Sequence, residues 1–186
     1  MSRAFIAVNL PQNIKEKLVE FLEKLQKSNS SLPIKWVKLE GLHITLHFLG
    51  WLDNDMIERV GENIQEEVKK YKSPNLILGE FGAFPNLERP RVVFIETEEV
   101  KSNILASLRK DLGQRLEKLE IEVDHRSWKS HITLGRVKGK CQIQKPKQEL
   151  ERLQFKIENV DLMKSELFPD GARYTIIKSF PFIVPR

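Results

Sequence analysis

The segment LHITLHFLG at residues 42–50 and the segment SHITLGRV at residues 130–137 contain the same four residues, His-Ile-Thr-Leu. Both segments are rich in the residue types that favour strands. Alternate side chains of a strand share a face, so His43 and Thr45 lie on one face and the motif's Ile and Leu on the other. Each motif therefore predicts a strand that buries an apolar pair and presents an imidazole beside a hydroxyl. Two ordinary core strands that share these residues are the simpler interpretation.

The segments around the two motifs occur in a similar order in both halves of the chain. Apolar residues at helical spacing predict helices at residues 11–29, 53–72 and 98–118, with a short one near 147–153. Strands are predicted at residues 3–9, 34–38, 42–52, 74–85, 91–96, 121–125, 131–137, 155–168 and 172–182.

This order of elements predicts an α+β fold with mostly antiparallel strands. We expect two related lobes of antiparallel sheet, helices on the outside, approximate two-fold symmetry and an active-site cleft between the lobes. No Pro- or Ser-rich linker divides the chain, so residues 1–186 are expected to form a single domain of two lobes.

The composition limits the classes of partner and location. A net charge of +5 and a pI near 9.3 favour a polyanionic partner such as RNA, although a Lys-rich surface without any partner has the same charge. The single cysteine, Cys141, suits a reducing compartment, and no apolar run reaches the roughly 20 residues of a membrane span. We expect a cytoplasmic protein that makes no membrane contact, needs no protein partner and acts as a monomer.

Facing lobes would bring His43, Thr45, His131 and Thr133 into one cleft. Imidazole gives and takes protons near neutral pH, and two histidines on opposite sides of a substrate can act as base and acid. Threonine hydroxyls can donate hydrogen bonds to an oxyanion. Because the sequence offers no clear nucleophile, the set predicts phosphoester cleavage by water or by a substrate hydroxyl. RNA is the natural substrate, since its 2′-hydroxyl permits a cyclic phosphate.

A metal site is the competing interpretation of the first motif, because His43 and His47 have the spacing His-x-x-x-His. In a strand, however, four residues span about 13 Å, which is too far for a shared ion. We therefore expect no metal and no other cofactor. By alternation His47 shares the face of His43, so it either lines the cleft or occupies a solvated surface.

With their flanking residues, the two motifs resemble those of the two-histidine phosphoesterases. The similarity is closest to the RNA 2′,3′-cyclic phosphodiesterase branch, also described as 2′-5′ RNA ligase-like, and it extends over most of the chain. The segments that carry it, in chain order, are RAFIAV, WVKLEGLHITLHFLG, FGAFPNLERPRVVF, SHITLGRVK and SELFPDGARYTII.

The resemblance implies that His43 and His131 are the catalytic pair and that Thr45 and Thr133 hold the phosphate. Arg136 matches the family's arginine after the second motif and is implied in the same phosphate contact. Ideal alternation puts Arg136 on the face opposite His131, so the strand must bend or end nearby for the guanidinium to reach a phosphate.

Two hypotheses of function follow. The first is an enzyme that opens 2′,3′-cyclic phosphates at RNA ends or on nucleotides. The resemblance implies a 2′-phosphomonoester product, with His43 protonating the leaving oxygen and His131 activating water, and leaves reversible 2′-5′ RNA ligation open. The second is an RNA- or nucleotide-binding module that uses the same residues without turnover. Two paired His-x-Thr motifs favour the enzyme, because phosphate binding alone would more naturally use Lys and Arg.

Overall fold

A computed structural model describes residues 1–145, 150–169 and 171–183. The strands are β1 (Ser2–Asn9), β2 (Ile34–Trp36), β3 (His43–Leu52), β4 (Asn75–Phe84), β5 (Val92–Glu99), β6 (His131–Val137), β7 (Gln154–Lys156), β8 (Asn159–Phe168) and β9 (Gly171–Pro181). The helices are α1 (Gln12–Ser28), α2 (Asn54–Val68) and α3 (Ile104–Lys118), and a short 3₁₀ turn at Leu39–Gly41 precedes β3. None of the described helices is long and apolar enough to cross a membrane.

The strands form one antiparallel sheet in the order β7-β4-β5-β6-β3-β1-β8-β9, and β2 pairs with β6 outside that path. The two motif strands, β3 and β6, lie at the centre and are joined by a single residue pair, Ile44 with Ile132. The predicted α+β class with two related antiparallel lobes is confirmed. The lobes are two halves of one sheet that meet at the motifs.

The pairing registers show the approximate two-fold relation between the halves. Strand β1 pairs with β3 in the same way as β5 pairs with β6. The corresponding pairs are Asn9–His43 with Glu96–His131, Val8–Ile44 with Ile95–Ile132, and Ala7–Thr45 with Phe94–Thr133. Each motif therefore sits in the same backbone environment of its own lobe.

Both motif strands contain a β-bulge directly after the motif threonine. The extra residue is Leu46 in β3 and Leu134 in β6. The carbonyl oxygen of Leu46 accepts a hydrogen bond from Arg109 Nε at 3.1 Å, and that of Leu134 accepts one from the Val37 N–H at 2.9 Å. An extra residue reverses the alternation of side chains, so residues beyond each motif change face.

All three helices pack on the same face of the sheet, where their apolar stripes and the Ile and Leu side chains of both motifs form one core. On α1 this stripe contains the predicted residues Ile14, Leu18, Phe21, Leu22 and Leu25. The opposite face, which carries the motif His and Thr side chains, is called the cleft face below. A small apolar cluster on this face consists of Phe5, Ala7, Met163 and Tyr174.

The prediction of a strand at residues 121–125 is wrong. This segment is irregular, and its strand-like alternation arises because Ile121 and Val123 are buried in the core. Two hydrogen bonds tie it to α3: the Ile121 N–H donates to the Leu116 carbonyl at 3.0 Å, and Arg109 Nη2 donates to the Asp124 carbonyl at 2.7 Å.

Other boundaries also differ from the sequence-based ones. Helix α3 begins at Ile104, not at residue 98, because β5 continues to Glu99 and the Glu99 carboxylate accepts the first two helical N–H groups, those of Ile104 and Leu105. Of the short helix expected near 147–153, residues 147–149 lie outside the described residues, and 150–153 are not helical. The turn between β8 and β9 includes residue 170, which also lies outside the described residues.

Candidate active site

The site begins where the two motif strands meet. Their single residue pair joins the two motif isoleucines, which are fully buried in the core. In that antiparallel register Thr133 lies across from His43, and Thr45 lies across from His131. Because side chains alternate, all four of these polar side chains are directed to the cleft face. The two motifs therefore lie side by side on one face of the sheet, as predicted.

His43 lies in a largely apolar recess and is only 9% exposed. Its ring is 5.0 Å from the ring of Phe5 and 5.2 Å from that of Tyr174, which meets it edge-on. No hydrogen-bond partner for the buried Nδ1 atom is found in the described part of the chain. Burial, with smaller contributions from the charges of Lys15 and Arg136, lowers the pKa of His43 to about 4. The imidazole is therefore neutral at neutral pH.

His131 is half-buried, and its surroundings differ in one important respect. Its Nδ1 donates a hydrogen bond to the carbonyl oxygen of Lys129 at 2.6 Å, which leaves Nε2 as the acceptor in the neutral ring. The rings of Phe84 and Phe94 lie 5.1 Å and 5.3 Å away. Burial lowers the pKa of His131, the bond to Lys129 opposes this, and the charge of Arg136 adds to the lowering.

Arg136 shares the cleft face with His131, and the β6 bulge is the reason. The next residue back, Gly135, points into the core: a Cβ atom there would lie 2.9 Å from Ile34 Cγ2 and from Trp36 Cε3. The exposed Arg136 side chain therefore takes the opposite face. Its charge lowers the pKa of both motif histidines. The bend that the phosphate role requires is present.

His47 does not line the cleft, so both of its predicted positions are wrong. Because Leu46 is an extra residue, His47 turns to the helix side of the sheet, where it is only 4% exposed. Its Nε2 lies 2.7 Å from the carbonyl oxygen of Arg109. A Cβ atom at Gly113 would lie 3.3 Å from Cε1 of His47. His47 is a packing residue between β3 and α3.

A polar network that the sequence analysis did not identify lies beside His43. Asn9, the cross-strand partner of His43, donates from Nδ2 to Asp161 Oδ2 at 2.8 Å and accepts from Lys15 Nζ at 3.3 Å. The Ser179 hydroxyl donates to the other oxygen of the buried Asp161 carboxylate. A carboxylate between two buried apolar residues, Val160 and Leu162 of β8, is a sequence signal for this network. Lys15 carries no such signal.

Potential metal ligands do not converge at the site. In residues 1–145, 150–169 and 171–183, no three His, Cys, Asp or Glu side chains are grouped so that they could hold a metal ion. The His-x-x-x-His spacing of the first motif places its two imidazoles on opposite faces of the sheet. The groups that converge on the cleft face are two imidazoles, two hydroxyls and one guanidinium, which together suit an oxyanion such as a phosphate.

Comparison with known proteins agrees with this fold. Residues 8–94 match the model of the LigT-like phosphoesterase family. The RNA 2′,3′-cyclic phosphodiesterase of Methanocaldococcus jannaschii is 31% identical over 184 residues, covering 96% of this chain and 99% of the relative. The protein of the same name from Archaeoglobus fulgidus is 31% identical over 182 residues, covering 96% and 99%.

Solved structures are similar as well. A crystal structure of a Thermus thermophilus protein superposes with a TM-score of 0.82 at 29% identity, covering 97% of both chains. E. coli LigT in complex with 3′-AMP shares the fold, with a TM-score of 0.72 at 22% identity over 97% of this chain and 98% of that one. An antiparallel sheet with paired His-x-Thr strands on its open face defines a two-histidine phosphoesterase. The chain belongs to the LigT-like phosphoesterase family.

Proposed function

We propose that the chain hydrolyses 2′,3′-cyclic phosphates at RNA ends or on nucleotides and leaves a 2′-phosphomonoester, without a metal. The observation that carries this proposal is the pair of motif imidazoles beside one guanidinium on the cleft face. The names of the curated relatives, RNA 2′,3′-cyclic phosphodiesterases, support the substrate class. The 2′ product and the use of both histidines in catalysis rest on the family resemblance.

His131 is proposed as the general base. Its Nδ1–H is engaged by the Lys129 carbonyl, so the neutral ring offers its lone pair at Nε2. In this role Nε2 takes a proton from water while the water oxygen attacks phosphorus. The positive charge that then develops on the ring is stabilised by the same backbone carbonyl.

His43 is proposed as the general acid that protonates the departing ribose 3′-oxygen as its bond to phosphorus breaks. In the free protein the ring is neutral. An anionic cyclic phosphate bound next to the ring favours the imidazolium form. His43 therefore gains a second proton when the substrate binds, and it returns to the neutral form when it transfers one proton to the departing ribose oxygen.

Thr45, Thr133 and Arg136 are proposed to hold the non-bridging phosphate oxygens. Each threonine lies across from the histidine of the other motif, so hydroxyls reach the phosphate from both strands. The guanidinium supplies the positive charge that a phosphorane-like transition state attracts. In-line attack needs base and acid on opposite sides of phosphorus, which two histidines on neighbouring strands can provide.

A binding module without turnover is the weaker proposal, because phosphate binding alone would more naturally use Lys and Arg than two paired histidines. Reversible 2′-5′ ligation would use the same groups.

We further propose that residues 1–186 act as a single domain, since one core cluster extends under both lobes. We also propose a monomeric protein in the cytoplasm, and the single cysteine supports the location.

Turnover of a nucleoside 2′,3′-cyclic phosphate tests the proposal directly. We expect hydrolysis in the presence of excess chelator, with phosphorus NMR giving a 2′-phosphate as the product. Binding without turnover would instead support the binding module. A 3′-phosphate product would contradict the regiochemistry but not the two-histidine chemistry, and activity that chelation removes and zinc or manganese restores would indicate a metallophosphoesterase.

The pH dependence should differ from that of two ordinary histidines. The active form has one neutral and one protonated imidazole, so kcat/KM should be bell-shaped, with its limbs set by the histidine pKa values of the free enzyme. Since both pKa values are lowered from 6.5, that of His43 to about 4, the maximum should lie below pH 6.5. The kcat profile should lie at higher pH, because bound phosphate raises both pKa values. A kcat/KM maximum above neutral pH would contradict this assignment.

Acid unfolding must be separated from titration of the site. The pKa values of His43, His47 and His131 are all lowered, so the unfolded chain binds more protons than the folded one as the pH falls below 6.5. The free energy of unfolding therefore decreases from about pH 6.5 toward 4. Circular dichroism at each pH is the necessary control for the acid limb.

A further inference from the structure

Strand β3 presents two exposed aromatic side chains on the cleft face beyond its motif. Phe48 is 62% exposed and Trp51 is 66% exposed. The register places Phe48 opposite Phe5 and Trp51 opposite Arg3. A second bulge keeps the tryptophan on this face: Leu49 is its extra residue, and Gly50 follows with a φ of +73°. The rise per residue puts Trp51 at most about 20 Å from Thr45 along the strand. The aromatic side chains therefore continue outward from the site.

The neighbouring strands support this surface in the first lobe, where Phe5 and Met163 are buried. Two cross-strand rows run over β3, β1, β8 and β9: Phe48, Phe5, Met163 and Ile176 in the inner row, and Trp51, Arg3, Ser165 and Tyr174 in the outer row. Neither row contains a carboxylate. The inner row is apolar, and Arg3 gives the outer row a positive charge. We call these two rows the aromatic platform.

A groove of about 800 Å³ runs beside the platform, between residues 48–52 and the irregular segment 119–126. The far rim carries the carboxylates of Glu120, Glu122 and Asp124, the last of which is bound by Arg126. An anionic ligand is repelled by that rim and attracted by Arg3. The charges thus direct an anion along the sheet side of the groove.

We propose that the aromatic platform binds the single-stranded RNA that precedes the terminal cyclic phosphate, by stacking bases on Phe48 and Trp51. This rests on the proposed function. Aromatic rings accept any base, because every base has a π-face, and a neighbouring arginine follows the phosphate backbone. The platform is continuous with the site through the ring contact of Phe5 with both Phe48 and His43. The substrate is therefore an RNA strand, and a cyclic mononucleotide uses only the inner end of this surface.

The test compares two substrates and three proteins. The proteins are the wild type, Trp51→Ala and the control Ile183→Ala, which removes an exposed apolar side chain at the bridge to Lys72. Each is assayed on cytidine 2′,3′-cyclic phosphate and on a short oligoribonucleotide with the same terminus. The ratio of kcat/KM for the oligonucleotide to that for the mononucleotide should fall about 5- to 100-fold in Trp51→Ala, as expected for one lost stacking contact. The control should keep the wild-type ratio.

An unchanged ratio in Trp51→Ala would overturn the platform. If the wild type turned over neither substrate, the proposed function would fail on its own. The platform would then be tested by fluorescence titration of wild type and Trp51→Ala with the 3′-phosphorylated oligonucleotide: weaker binding by the variant supports it, and equal affinity refutes it. Sedimentation that reveals a dimer which Trp51→Ala dissociates would assign the surface to a second copy of the chain and also overturn the proposal.

Discussion

Replacing His43 or His131 with alanine is expected to lower kcat by about 10²–10⁴-fold for each variant, because each removes a group that transfers a proton in the transition state. Initial rates on a cyclic nucleotide at the pH optimum of the wild type measure the loss. KM should change much less than kcat, since the hydroxyls and the guanidinium that hold the phosphate remain. The double variant should lose little beyond the worse single one, as base and acid act as a unit.

Two other histidines provide matched controls for this experiment. His125 is exposed and pairs with Glu117 on the outside of α3, so His125→Ala should keep wild-type rates. His47→Ala should lower the free energy of unfolding, because it leaves a space against α3 and removes the hydrogen bond to Arg109, but it should not remove the chemistry. Near-normal turnover of His43→Ala or His131→Ala, with an intact circular dichroism spectrum, would refute acid–base catalysis by these residues.

The sequence is sufficient to predict where the motifs meet, but not the faces of the residues that follow them. His and Thr at a spacing of two, alternating with Ile and Leu, predict one polar and one buried face of a strand. The bulges at Leu46 and Leu134 break that period, and their carbonyls are satisfied by Arg109 and Val37, which are distant in sequence. A local sequence pattern does not predict such distant hydrogen-bond partners. For this reason alternation places His47 on the wrong face, and Arg136 requires a bend that alternation does not predict.

The different pKa shifts of the two motif histidines also cannot be predicted from the sequence. Their motifs are identical, so their ordinary pKa values and roles are interchangeable at that level. The distinction comes from packing: His43 is enclosed by Phe5 and Tyr174, whereas the ring of His131 is held by the Lys129 carbonyl. Burial and hydrogen bonding are tertiary properties, and they shift a pKa more than any neighbour in the chain does here.

The approximate symmetry makes the remaining difference between the lobes informative. Each bulge is followed by a residue that returns to the cleft face, and this residue is Phe48 in β3 but Arg136 in β6. Equivalent backbone positions thus carry a flat apolar ring in one lobe and a cation in the other. A nucleotide has the same two parts, a base and a phosphate. This division is consistent with a phosphate held on the β6 side and bases stacked along β3.

Replacing Arg136 with alanine should therefore affect both the rate and its pH dependence. Loss of a charged donor to the phosphate is expected to lower kcat/KM by about 10²–10³-fold. The Arg136 charge also lowers the pKa of both motif histidines, so its removal should raise both pKa values and move the kcat/KM maximum to higher pH. Rates measured across pH, with a fit of both limbs, test the two effects together.

Two comparison variants separate the charge of Arg136 from its hydrogen-bonding geometry. Arg136→Lys keeps the charge but not the planar pair of donors, so it should retain the wild-type pH maximum while recovering only part of the rate. Arg59→Ala removes the same charge from the exposed side of α2, on the other face of the sheet, and should change neither quantity. If Arg136→Ala lost activity with an unmoved pH maximum, the guanidinium would bind substrate without influencing the histidines. If it kept full activity, the phosphate would have to be held by the two threonines alone.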